Sequence, residues 1–175
     1  MHESRLENLF GAAALAATGA MTAAMSAAAD GGLSAAAALV TLAAAPEIGV
    51  TELARRLGLS QPGTSRLVEG LAARGLVLSQ PEPGGRTVAL SLTAAGTGQA
   101  RLVLAQRQRA LAAMLAPLDE ATRAALDAAL SAVLERLTDE GTSAYRTCRL
   151  CDEHACAAAA PCPVDHAWQR RDRRC

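Results

Sequence analysis

The chain has 175 residues, of which 51% are hydrophobic, and its formal net charge is zero. That length is one domain, or one domain with an appendage, and the neutral balance excludes a uniformly basic nucleic-acid binder. Only Phe10, Tyr145 and Trp168 are aromatic, so the abundant Ala and Leu favour close-packed helices over a large sheet.

In chain order, residues 3–29 predict one long helix ended by Asp30-Gly31-Gly32, and LSAAAALVTLAAA predicts a second, stopped by Pro46. The uncharged stretch Leu9–Ala29 is long enough to span a bilayer. Its apolar content is mostly Ala, which contributes little to insertion, and no basic region precedes it. The expectation is a buried helix of a cytoplasmic protein, with no membrane partner.

VTELARRLG then predicts a short helix capped by Thr51 and closed at Gly58. LSQPGTSRLVEGLAARG predicts another, with Ser60 as cap, Pro62 in its first turn, Leu67, Val68 and Leu71 facing inward and Gly75 beyond its end. Leu76–Leu78 and Val88, Leu90 and Leu92 alternate as two short strands around a Pro/Gly-rich turn. Thr93 caps a long helix towards Leu115, Pro117 breaks it, and a last long helix follows as far as Gly141. The segment from Thr142 onward has few periodic apolar residues.

Charge is unevenly spread along this order. Between Val50 and Ala110 there are eight Arg and three Glu, while Leu118–Glu140 carries six acids and two Arg. A basic segment in a neutral chain is an electrostatic footprint for an anionic partner.

Residues 50–75 have the pattern of a helix-turn-helix. Gly58 supplies the small residue at the turn, and Leu53, Leu57, Leu59, Leu67 and Leu71 are expected to hold the angle between the helices. Gln61, Thr64, Ser65 and Arg66 form the candidate outward face of the second helix. Gln reads adenine bidentately, and Arg reads guanine or clamps phosphate. Arg86, beside Gly84-Gly85 in the hairpin turn, is placed where a wing reaches the adjacent minor groove.

VTELARRLGLSQPGTSRLVEGLAARGLV followed by GGRTVALSLTAAG resembles the MarR family of bacterial winged-helix transcription factors, over roughly residues 5–140. The resemblance implies a mainly α fold with a small β-hairpin wing: a winged helix-turn-helix with long flanking dimerisation helices. It implies a homodimer on a double-stranded, pseudo-palindromic operator, and a regulator, expected to be a repressor, that is not an enzyme. By the same resemblance, Ser60, Gln61, Thr64, Ser65 and Arg66 face DNA and Arg86 is the wing arginine. The stretch QPEPGG before Arg86 departs from the alternating charges of many members. The organisation expected is dimerisation helices over 1–45, the winged helix-turn-helix over 46–93, dimerisation helices over 94–141 and a cysteine-rich tail over 142–175. A small-molecule effector is left open.

Four of the five cysteines, Cys148, Cys151, Cys156 and Cys162, follow one another as C-x2-C-x4-C-x5-C, and the first 147 residues contain none. Disulfide scaffolds spread their cysteines along the chain; local clustering in a reducing compartment reads as a metal or redox site. Four thiolates complete S4 ligation. Pro163 directly after Cys162 favours an Fe–S cluster, with Zn2+ or a thiol/disulfide switch as the alternatives. Arg146, Arg149 and the RRDRR run at 170–174 are expected to offset thiolate charge. His154 and His166 are candidate replacement ligands, Trp168 is expected to pack the tail onto the body, and Cys175 is expected to be free. Some MarR-like proteins resemble this chain in the tail as well. The coupling expected is that the state of this site shifts the dimer helices and so the spacing of the two reading helices. A cluster-binding electron carrier and a metal-buffering protein are the readings from other classes.

Overall fold

The computed structural model describes residues 4–81, 88–139, 143–158 and 160–172. Helix α1 (Arg5–Ala28) starts at a capping box: the Ser4 amide donates to the Glu7 carboxylate at 2.6 Å, and the Glu7 amide donates back to the Ser4 hydroxyl. These reciprocal bonds satisfy amides that a helix start leaves open. Helix α2 (Gly32–Ala44) buries the unbroken run Ala35–Leu42. An all-round apolar helix can only be central, and α1, α3, α4, α5 and the hairpin all pack against it.

Helix α3 (Val50–Leu57), a turn at Gly58 and helix α4 (Gln61–Ala73) form the helix-turn-helix. Gly58 adopts φ +69°, the left-handed conformation that L side chains resist, and its amide closes α3 by donating to the Ala54 carbonyl. Ser60 caps α4 by accepting from the Gly63 amide, with Pro62 in the first turn. Thr51, expected as the cap of α3, lies one residue inside it. The cap is Gly49, which offers no side-chain bond.

Strands β1 (Val77–Pro81) and β2 (Val88–Leu92) pair antiparallel, with Val77 opposite Leu92 and Ser79 opposite Leu90. Ile48 adds a bridge to Leu90, so the chain entering α3 is stitched to the wing. Thr93 joins the wing to helix α5 (Ala94–Leu115): its hydroxyl donates to the Gly75 carbonyl at 2.7 Å and accepts from the Gly96 amide. There the backbones nearly touch. A Cβ on Gly96 would lie 1.9 Å from the Leu76 carbonyl oxygen.

Helix α6 (Glu120–Asp139) follows the break at Pro117. The tail, with no periodic element expected, holds three short helices: α7 (Ala144–Cys148), α8 (Glu153–Ala157) and α9 (Pro163–Asp172). Within the chain α6 packs chiefly against α9. The core is built on Met25, Leu39, Leu42, Leu53, Leu71, Leu90 and Val103, and Leu150 of the tail belongs to the same cluster.

One expectation changes here. Leu59 is 40% exposed and does not brace the helix-turn-helix, because the Gly58 turn rotates it outward. Helix α1, expected to be covered by a second copy, is open on the single chain: Met25 is buried, but Leu6, Leu9, Phe10 and Leu15 are exposed, Leu15 at 77%. Among the described residues α1 is the helix long and apolar enough to cross a membrane. It packs along α5, where the Gln99 side-chain amide donates to the Ala28 carbonyl.

Candidate nucleic-acid interface and cysteine site

The front of α4 follows from its phase. Thr64, Val68 and Leu71 are buried at i, i+4 and i+7, which turns Arg66 outward, and Gln61 is exposed as the first residue of the helix. Ser60 is exposed but engaged as the cap, and Ser65 is half-buried with its hydroxyl donating to the Gln61 carbonyl. Thr64 does not belong to the outward face. It is fully buried, and its hydroxyl donates back to the Ser60 carbonyl. Arg86 and the turn around it lie outside the described residues, as does Cys175.

The tail brings Cys148, Cys151, Cys156 and Cys162 to the wall of one cavity of about 510 Å3. Cys148 ends α7, and the Cys151 amide donates to its carbonyl at 2.8 Å, so this C-x-x-C pair is a single tight turn. Cys156 lies in α8, where Asp152 caps through the Ala155 amide. Cys162 precedes α9 and accepts from the His166 amide. None of the four is in a disulfide.

Their chemistry divides them. The Cys148 thiol donates to Cys151, which is held down at about 6 by that bond and by the charge of Arg107, against the opposing effect of burial. The same bond, with burial, pushes Cys148 well above the usual thiol range. Burial, then the neighbouring Cys162, pushes Cys156 up to about 11. Arg107 of α5 reaches the Cys151 sulfur at 3.9 Å, and its buried Nε has no hydrogen-bond partner. This arginine, 44 residues from the cysteine it faces, carries no local signal in the sequence.

Among the described residues, no three His, Cys, Asp or Glu side chains converge as a formed metal centre. The four sulfurs line one cavity without closing on a point. As a donor set they suit a thiolate-bound iron or zinc ion, provided that the Cys148–Cys151 and Cys156–Cys162 pairs draw together.

The arginines expected to face the thiols are divided. Arg149 lines the cavity. Arg170 lies 3.7 Å from Glu135 of α6, and Arg171 donates to the Thr138 carbonyl, so this part of the run ties α9 to α6. Arg173 and Arg174 lie outside the described residues. His154 is exposed at the cavity, and His166 lies 3.5 Å from Glu135 with its side chain half exposed.

Sequence reading missed what Tyr145 does. Its ring lies 4.4 Å from the Arg55 guanidinium and 4.6 Å from that of Arg56, both on α3. Each such contact contributes about 0.5–1 kcal/mol at a partly exposed site. Glu52 holds the two arginines in place, bonded to Arg55 at 2.6 and 2.7 Å and to Arg56 at 2.7 Å. The Arg55 bond, with that of Arg56, keeps the Glu52 carboxyl at about 2, well below its usual range. Trp168 meets Tyr145 edge-on with centroids 5.9 Å apart, and the Arg146 guanidinium lies against Gly58. Tail and helix-turn-helix are in direct contact.

A family model described as MarR family matches residues 32–86, from α2 through the helix-turn-helix to the wing. That match makes the winged-helix segment similar to the MarR family. Around that segment, the fold is similar to solved structures. Rv1404 of Mycobacterium tuberculosis is 24% identical, with a TM-score of 0.63, over 77% of this chain and 95% of that one. Apo MarR of Escherichia coli is 20% identical, with a TM-score of 0.62, over 76% and 99%. The MarR-family protein Rv2887 of M. tuberculosis, solved in complex with DNA, is 22% identical with a TM-score of 0.61, over 75% and 98%. These likenesses establish the winged-helix fold with its flanking helices. The four cysteines lie outside the matched MarR segment, and no curated protein matches the chain.

Proposed function

We propose that this protein is a dimeric, sequence-specific DNA-binding transcriptional regulator, a repressor, and not an enzyme. The observation that carries the reading is the front of α4, where Arg66 is presented outward opposite the buried Thr64–Val68–Leu71 face and Gln61 is exposed at the helix start, in a segment similar to the MarR family. Gln61 reads adenine and Arg66 reads guanine or holds phosphate. The relative Rv2887, solved with DNA, supports the same role here. The helix start adds amide donors for a backbone phosphate.

The dimer rests on apolar surface that one chain leaves open. Leu6, Leu9, Phe10 and Leu15 on α1 and the stripe Leu130, Val133 and Leu137 on α6 are exposed, and a second copy covers them. Two-fold symmetry then sets the two reading helices roughly 34 Å apart, one turn of a pseudo-palindromic operator. In this reading Arg86 serves as the wing contact.

The cysteine cavity is the regulatory site. Cys148, Cys151, Cys156 and Cys162 hold an Fe–S cluster, with Arg107 balancing thiolate charge from within hydrogen-bonding reach. The cluster, when bound, supplies a redox-variable centre; the residues supply four sulfur donors and a partly enclosed wall. Zn2+ on the same donors is the second reading.

A mobility shift with the DNA upstream of its own gene tests the regulator. Wild type retards that DNA and Arg66→Ala does so weakly; no retardation at any concentration defeats the reading. Anaerobically purified protein tests the site. A broad visible band with iron and sulfide identifies the cluster, a colourless protein with stoichiometric zinc identifies zinc, and neither defeats both.

A further inference from the structure

We propose that the cysteine site acts on the reading head directly, through Tyr145 clamped on Arg55 and Arg56 of α3, and not by way of the dimer helices. The proposal rests on the regulator reading and names the residues by which that regulation travels. Tyr145 and Cys148 are three residues apart on α7, and both line the thiol cavity. Three residues are close to one helical turn, so ring and thiol move as one unit.

That unit has two fixed neighbours. On its far side Leu150, 6% exposed, is anchored in the main core. On its near side the Tyr145 ring covers the two guanidiniums that Glu52 holds in register on α3. Drawing the Cys148 sulfur towards Cys156 and Cys162 turns α7 about the Leu150 anchor and slides the ring across Arg55 and Arg56.

Helix α3 has little freedom to absorb that shift alone. Its opposite face, Leu53, Ala54 and Leu57, is buried, and α3 packs directly on α4. Arg146, next to Tyr145, presses on the Gly58 turn joining the two helices. The tail therefore touches the first helix and the turn of the helix-turn-helix, and the presentation of Gln61 and Arg66 follows. DNA and the cysteine site bias the same element, which is the condition for coupling between two sites.

The α9–α6 contact is the competing route. There Arg170 and His166 meet Glu135 and Arg171 meets Thr138; α9 also lines the thiol cavity, through Val164, Asp165 and Trp168, but none of its residues that meet α6 does. Tyr145, Arg56 and Cys148 do.

The test is a double-mutant cycle on the full chain. Operator affinity, read by anisotropy of a labelled upstream duplex at fixed salt, is compared for wild type, Cys148→Ser, Tyr145→Ala and the double variant. Cys148→Ser is expected to change Kd at least fivefold in the wild-type background and less than twofold beside Tyr145→Ala. Tyr145→Phe, which keeps the ring, retains the wild-type response. Additive effects overturn the clamp, as does a Cys148→Ser protein with wild-type Kd. Arg55→Gln/Arg56→Gln removes the clamp from the α3 side and replaces Tyr145→Ala if that variant does not fold. Amide exchange over residues 50–58 gives a reading without DNA: Cys148→Ser raises it in wild type and leaves it unchanged beside Tyr145→Ala. Unchanged exchange in both overturns the clamp. Failure of every protein to bind DNA with the exchange response intact defeats the regulator reading alone.

Discussion

The α3–α4 unit is held by apolar contacts between residues close in sequence, whereas the cysteine tail is held by charged and aromatic contacts to residues far away. Leu53 and Leu57 close on Val68 and Leu71 across a three-residue turn. Tyr145 reaches back to Arg55, Arg107 reaches forward to Cys151, and Arg171 reaches back to Thr138. The first kind of contact is burial, which is strong and insensitive to solution conditions. The second is partly exposed, weaker, and depends on salt and protonation. One region is therefore a fixed reading head and the other an adjustable fitting against it.

The largest effect expected breaks the fixed half. Gly96→Ala puts a methyl group on the Leu76 carbonyl, where no side chain is available to give way. A loss of about 3 kcal/mol or more follows, seen as a Tm drop on the order of 6–12 °C. A Tm within a degree of wild type contradicts the backbone contact. Leu150→Ala comes next, with a loss of about 2–3 kcal/mol. It releases the tail from the core, so thiols in the variant alkylate faster than in wild type; unchanged alkylation means that Leu150 is no anchor.

Arg66→Ala sharpens the contrast from the other side. It weakens operator binding by about 1–3 kcal/mol with thermal unfolding unchanged, because the side chain is exposed and takes no part in packing. The smallest effect is acid release of the clamp. Glu52 titrates at about 2 against a usual 4.5, so its contribution is complete above about 4.5 and is lost as pH falls towards 2. With the carboxylate about one-third exposed, that contribution is under about 1 kcal/mol. Pepsin cleavage of the tail should rise over this window in wild type and show no such step in Glu52→Gln.

The same division explains what was legible in the sequence. Caps at Ser60 and Thr93, the breaks at Pro46 and Pro117 and the hairpin strands are local signals, and the structure follows them closely. The Thr64 error was also local. Its polarity suggested a DNA contact, but it shares a face with Val68 and Leu71, and its hydroxyl is satisfied by the backbone one turn earlier. Leu59 was misjudged because a left-handed turn re-aims the residue after it. In the tail, only the cysteine spacing was visible. Helices α7 and α8 are five residues each, too short for a periodic signal, and the partners of Tyr145 and Cys151 lie at distances no spacing rule reaches.

The chain's single tyrosine and single tryptophan are the pair that meets edge-on beside the thiols. Every helix contributes to far-ultraviolet circular dichroism, but the indole emission comes from Trp168 alone. The protein therefore contains two separate optical gauges, one for its helical body and one for the docking of its tail. Denaturant melts followed by both need not superimpose. A fluorescence transition that precedes the loss of helix marks the tail leaving a body that is still folded, and the gap between the midpoints measures how loosely the fitting is held.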